Sequence, residues 1–171
     1  MPQAAHGSAH FAAADETLTV RFYLNGETRE VVVPARWTLA DALRERVGAT
    51  GTHLGCEHGV CGACTVLLDD EPIRSCLLLA VQVDGHEVRT VEGLARGGAL
   101  TPIQQAFSEH HALQCGFCTP GFLMLATALL EDDPEMDDET LRAGLSSNLC
   151  RCTGYRPIVD AVIAAREGGR R

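Results

Sequence analysis

The chain has 171 residues, 46% hydrophobic and 22% charged, an ordinary balance for a globular protein and room for one domain or two small ones. Its net charge is −9, and its 14 cations, all arginine, form no basic run, which argues against a nucleic-acid partner and against a basic membrane-surface helix. The longest strongly apolar stretch, Gly121 to Leu130, is too short to span a bilayer, so no membrane insertion is expected.

Residues 1–15 read as a loose arm with no charged n-region, no apolar h-region and no twin-arginine pair, so a cytoplasmic location is expected. His6 and His10 in this arm read as solvated tail residues rather than ligands. Leu18, Val20, Phe22 and Leu24 then alternate with Thr17, Thr19, Arg21 and Tyr23, the period of a half-buried strand. Asn25-Gly26 signals a type I′ hairpin turn, and residues 28–33 return as the second strand, stopped by Pro34. Thr38 to Asp41 reads as a capping box opening a helix to about Val47, with Gly48 as its C-cap. Trp37 reads as a core or interface residue.

Residues 50–63 form a loop that opens the first of two cysteine groups, Cys56-x4-Cys61-x2-Cys64-x11-Cys76. Eight cysteines in a reducing compartment speak for metal rather than disulfides. The C-x4-C-x2-C…C spacing is that of a plant-type [2Fe–2S] site. Three thiolates must converge on a flat cluster from one short segment, with backbone N–H groups aimed at the sulfurs. Gly55, Gly59 and Gly62 give the backbone that freedom. His53 and His58 flank the loop, but a Rieske-type site needs two histidines in place of two cysteines, and all four cysteines are here. Cys64 to Leu68 reads as a strand, Asp69-Asp70-Glu71 as a turn, Ile73 to Cys76 as the return, and Glu87 to Val91 as a last strand after Asp84-Gly85. Hairpin, helix, loop and strands in this order make a β-grasp over residues 16–92.

The glycine-rich stretch 93–100 reads as a linker, and the period then changes from two to that of helices. Thr101-Pro102 opens the first helix of residues 101–166, with Ile103 and Phe107 on one face. Thr119-Pro120 opens a second, apolar nearly all round and therefore buried, which the acidic segment Glu131 to Pro134 ends. A third helix is expected over 138–146 and a fourth from Pro157, with Ile158, Val162 and Ile163 inward and a frayed tail over 167–171. The acidic run Glu131 to Glu139 reads as a solvated turn, and His110-His111 as surface or interface residues. The fold class is therefore α+β, an N-terminal plant-type ferredoxin-like β-grasp followed by a C-terminal four-helix bundle. The second cysteine group, Cys115-x2-Cys118-x31-Cys150-x-Cys152, lies at the start of the second helix and in the loop before the fourth. Its spacing alone leaves a four-thiolate zinc site and an iron–sulfur site both open.

The strings GCEHGVCGACTV, TVEGL, QCGFCTPG and NLCRCTGYRPIVDA resolve that choice. From about Thr17 to Ala165 the chain resembles the iron–sulfur small subunit of the molybdenum hydroxylases, the xanthine dehydrogenase and aldehyde oxidase family, in the separate-subunit style of the aerobic carbon monoxide dehydrogenases. The resemblance implies two [2Fe–2S] clusters, a large molybdopterin-binding subunit and a medium FAD-binding subunit, joined as a heterotrimer or a dimer of heterotrimers. It implies that Cys115, Cys118, Cys150 and Cys152 hold the cluster nearer the molybdenum centre, and Cys56, Cys61, Cys64 and Cys76 the cluster nearer the flavin. It also implies that Gln114 and Cys152 touch the pterin, and that the chain alone has no hydroxylase activity. A free-standing two-cluster ferredoxin and a zinc-stabilised interaction module are the rival readings.

Overall fold

The computed structural model describes residue 13, residues 15–95 and residues 97–169; most of the expected N-terminal arm, with His6 and His10, and Arg170 and Arg171 of the tail lie outside the described residues. Strand β1 (Thr17–Leu24) pairs antiparallel with β2 (Glu27–Pro34) across a turn in which Asn25 and Gly26 both have positive φ, as a type I′ turn requires. Val20, Phe22 and Leu24 face inward and Arg21 and Tyr23 outward, the alternation that the sequence shows. Strands β3 (Thr65–Leu68), β4 (Glu71–Arg74) and β5 (Glu87–Arg89) complete a mixed sheet in the order β2-β1-β5-β3-β4, with β5 parallel to β1. Helix α1 (Leu39–Ala42) covers it, and Phe22, Val33, Leu39, Leu43, Val66 and Val88 meet in one core. A side chain buried this fully contributes about 1.5–3 kcal/mol.

Four further helices follow: α2 (Pro102–Glu109), α3 (Thr119–Asp132), α4 (Asp138–Leu145) and α5 (Arg156–Gly168). Every residue of α3 from Gly121 to Ala128 is buried, because α2 and α4 pack on it from its own half and β3 from the other. Leu67 of β3 and Leu94, just past β5, belong to this helical core. The α+β architecture, a sheet with its helix followed by a four-helix bundle, is the one expected.

The structure departs from the sequence reading at element ends, each time for a reason a named contact supplies. The Thr38 capping box forms, but the helix widens after Ala42 into a π-type turn over Leu43–Val47 before Gly48 takes a left-handed conformation. Arg44 donates to the carbonyls of Thr50 and Thr52, and Arg46 donates to the Val32 carbonyl while lying over the half-buried Trp37 ring, so this turn is held from three directions. Strand β4 starts at Glu71 rather than Ile73, because Asp69 and Asp70, both at positive φ, make the whole turn. Cys76 leaves the strand for a short 3-10 turn, pinned by the Ser75 hydroxyl on the Cys64 carbonyl at 2.7 Å. Strand β5 stops at Arg89, not Val91, because the Asn25 side chain takes the Thr90 N–H at 2.8 Å. Helix α5 runs to Gly168 instead of fraying at 167, since Arg166 ties its last turn to the Met136 carbonyl and to Asp138 at 2.7 Å. The acidic run is more than a solvated turn: Glu131 receives Arg89 at 2.8 Å, and Asp137 caps α4 through the N–H groups of Glu139 and Thr140.

Candidate metal centres

Three cysteines of the first quartet lie on the loop before β3, and the fourth, Cys76, on the 3-10 turn after β4. Positive φ at Glu57, Gly59 and Gly62 turns successive N–H groups toward the sulfurs. The N–H groups of His58 and Cys61 hold the Cys56 thiol down at about 6, and Cys61 N–H lies 3.3 Å from its Sγ. Cys64 and Cys76 are buried together; burial, then the neighbouring Cys64, pushes the Cys76 thiol up to about 11.

The second quartet straddles two helix starts. Cys118 is the N-cap of α3, and burial, followed by contact with Cys150, pushes its thiol up to about 12. Burial also raises Cys150, but the Thr153 hydroxyl at 3.1 Å and the N–H groups of Thr153 and Cys152 outweigh it and leave the thiol below its ordinary value. Cys150 N–H donates to the Tyr155 hydroxyl at 3.1 Å, and the Tyr155 ring meets Phe122 edge-on, so this aromatic braces a candidate ligand. Cys115 and Cys152 are exposed, with their sulfurs 3.6 Å apart. Gln114 beside them is exposed, as are Arg151, His110 and His111.

Each quartet thus resolves into two sulfur pairs: Cys56 with Cys61 and Cys64 with Cys76 in the first, Cys115 with Cys152 and Cys118 with Cys150 in the second. Among the described residues no three His, Cys, Asp or Glu side chains gather where a single metal ion would sit. Two pairs, with N–H and O–H donors turned on the sulfurs, fit a two-iron cluster held by four cysteines.

The two loops also touch each other, which cysteine spacing alone does not reveal. Leu149 N–H donates to the Cys61 carbonyl at 2.9 Å, and Asn148 Nδ2 to the Gly62 carbonyl at 3.2 Å. His53 stacks on Phe117, ring centroids 4.9 Å apart, with Nδ1 2.7 Å from the Phe117 carbonyl. His53 therefore faces the second cysteine loop. Arg74 reaches the Ser147 carbonyl at 2.8 Å. Asn148 and Leu149, which make this joint, immediately precede Cys150.

The 2Fe-2S iron-sulfur cluster binding domain family matches residues 22–95, and the [2Fe-2S] binding domain family matches residues 90–163. The nicotine 6-hydroxylase small subunit of Paenarthrobacter nicotinovorans is 61% identical over 142 residues, 83% of this chain and 86% of that one. The xanthine dehydrogenase iron-sulfur-binding subunit of Escherichia coli O157:H7 is 45% identical over 150 residues, 86% of this chain and 94% of that one. The chain belongs to the iron–sulfur small subunits of the molybdenum hydroxylases. In the crystal structure of quinoline 2-oxidoreductase from Pseudomonas putida 86, a chain of 50% identity superimposes on this small subunit with a TM-score of 0.87, covering 91% of it and 97% of that chain. The small subunit is the electron-transfer, iron–sulfur part of an oxidoreductase complex, and it works with larger partner subunits. No helix among its described residues is long and apolar enough to cross a membrane.

Proposed function

We propose that this subunit relays electrons, one at a time, between a molybdopterin centre in a large subunit and FAD in a medium subunit. A [2Fe–2S] cluster supplies a site that accepts and returns one electron. On this reading Cys115, Cys118, Cys150 and Cys152 hold the cluster on the pterin side, with Gln114 and Cys152 in contact with the pterin, and Cys56, Cys61, Cys64 and Cys76 hold the cluster on the flavin side. The observation that carries the reading is the pair of four-cysteine sites joined by a peptide hydrogen bond, Leu149 N–H to Cys61 carbonyl at 2.9 Å. Its orientation is supported by the exposure of Gln114, Cys115 and Cys152 together, on the second site. The first site is rimmed by exposed Val60 and Leu77, an apolar edge suited to a second subunit. The working domain limits are residues 16–92 and 101–166 with the linker between, and the compartment is the cytoplasm.

The substrate is set by the large subunit. Nicotine, xanthine and quinoline, named in the relatives, are nitrogen heterocycles, which makes that class the first panel to assay. The test is anaerobic purification of the native complex, with analysis of its chains, pterin, flavin, iron and labile sulfide. Co-elution with two larger chains, molybdopterin, FAD, and two irons with two sulfides per quartet is expected. A complex without molybdopterin overturns the reading, and elution alone near 18.3 kDa establishes a free ferredoxin instead.

A further inference from the structure

Asn148 is 1% exposed, yet it is no candidate ligand and lies in the loop between α4 and Cys150. Its Nδ2 donates to the Gly62 carbonyl, while its Oδ1 is buried without a partner. A buried amide with one unpaired oxygen is costly compared with an apolar side chain of the same shape. The cost points to a task for the other end of the amide. Gly62 has φ +74, and a Cβ there would run into Asn148, so the two residues occupy one shared space. The Gly62 carbonyl is gripped as well by the Thr65 hydroxyl at 2.6 Å, which fixes where Asn148 must point.

The next residue makes the matching contact. Asn148 and Leu149 engage two consecutive carbonyls, Gly62 and Cys61, like adjacent teeth. Cys61 is itself a candidate ligand, and Leu149 is bonded to another, Cys150. A further contact between the loops, His53 on Phe117, is three residues from Cys56 and so offers a longer covalent route.

We infer that Asn148 is a positioning residue for electron transfer, holding Leu149 N–H on the Cys61 carbonyl so that the two ligand loops stay coupled. The inference rests on the relay reading above. In each transfer the donating cluster is oxidised by one electron and the accepting cluster reduced by one; no atom or proton crosses the joint.

The test uses the purified holo-complex with Asn148→Ala, Asn148→Leu and His53→Ala. The leucine variant keeps branching and volume and removes the donor, guarding against collapse of an alanine cavity. A photogenerated deazaflavin radical delivers one electron, and freeze-quench EPR follows its equilibration between the clusters. Both Asn148 variants are expected to keep full iron and sulfide, unchanged cluster midpoint potentials, and a several-fold slower equilibration. The His53 variant is expected to equilibrate at the wild-type rate. Wild-type rates in the Asn148 variants overturn the inference, as does equal slowing in His53→Ala, which would make the effect general loosening. Failure of both Asn148 variants to load iron also overturns it, by making Asn148 a folding residue. If the wild-type complex itself carries no clusters, it is the relay reading that fails.

Discussion

Gly62 and Gly121 meet across the joint, and at neither is there room for a side chain. A Cβ on Gly121 would strike the Gly62 carbonyl, which is backbone held on several sides and unable to move aside. Gly26, by contrast, needs only its positive φ, with open space around it. We therefore expect Gly121→Ala to cost about 1–3 kcal/mol by overpacking, and Gly26→Ala about 1–2 kcal/mol by left-handed backbone strain alone. The Gly121 variant should also lose iron from both quartets. Thermal unfolding with iron analysis of the two purified variants checks this; a Gly26 variant poorer in iron than the Gly121 variant contradicts it. The thiols show a similar division of labour. Cys56 is held down at about 6 by N–H groups, whereas Cys118 is pushed up to about 12 by burial.

Among the elements, α4 is capped by a single carboxylate, Asp137. Asp137 accepts the N–H groups of Glu139 and Thr140 and the Thr140 hydroxyl, and these donors hold its carboxyl below the usual carboxylate range. A folded-state pKa that is depressed contributes stability above the unfolded value, and that stability is lost as pH falls through the folded one. Asp137→Ala should therefore unfold at a lower temperature than wild type at pH 7, and the gap should close as the pH is brought down through the carboxylate range. A gap that stays constant with pH would assign the loss to something other than the charged cap. The strands were legible because half-burial writes itself as alternation: Val20, Phe22 and Leu24 inward, Arg21 and Tyr23 outward. The end of β5 was not, because the side chain that stops it, Asn25, comes from a turn 65 positions earlier. Nor was the π-type turn after Ala42 legible, since its causes, Arg44 on the cluster loop and Arg46 on β2, are tertiary contacts.

Across the whole molecule, Arg89 is the main ionic tie between the two halves, joining Asp70 in the β3–β4 turn to Glu131 on α3 at 2.7 and 2.8 Å. Its guanidinium is only partly exposed, and two carboxylates raise its pKa further, Glu131 foremost. Arg89→Ala is expected to cost about 1 kcal/mol, in the upper range for a partly solvated pair, and the cost should shrink in high salt. Denaturant melts of wild type and variant at low and high ionic strength measure it, and a salt-independent difference rules out an ionic origin. The two candidate quartets stand out in the sequence because most of their cysteines fall in short, spaced strings. Their joint does not, since Asn148 and Gly62 are 86 positions apart and neither is a residue type that announces metal chemistry. That joint also leaves the Gly97–Gly98 step, past the buried Leu94, with little to do. The halves are registered by peptide groups inside the loops, so the Gly97–Gly98 tether serves only as leash, and a doubled leash costs about 0.6 kcal/mol. Lengthening or trimming that tether is therefore expected to leave the fold intact, whereas the few atoms where the halves interlock tolerate change only together.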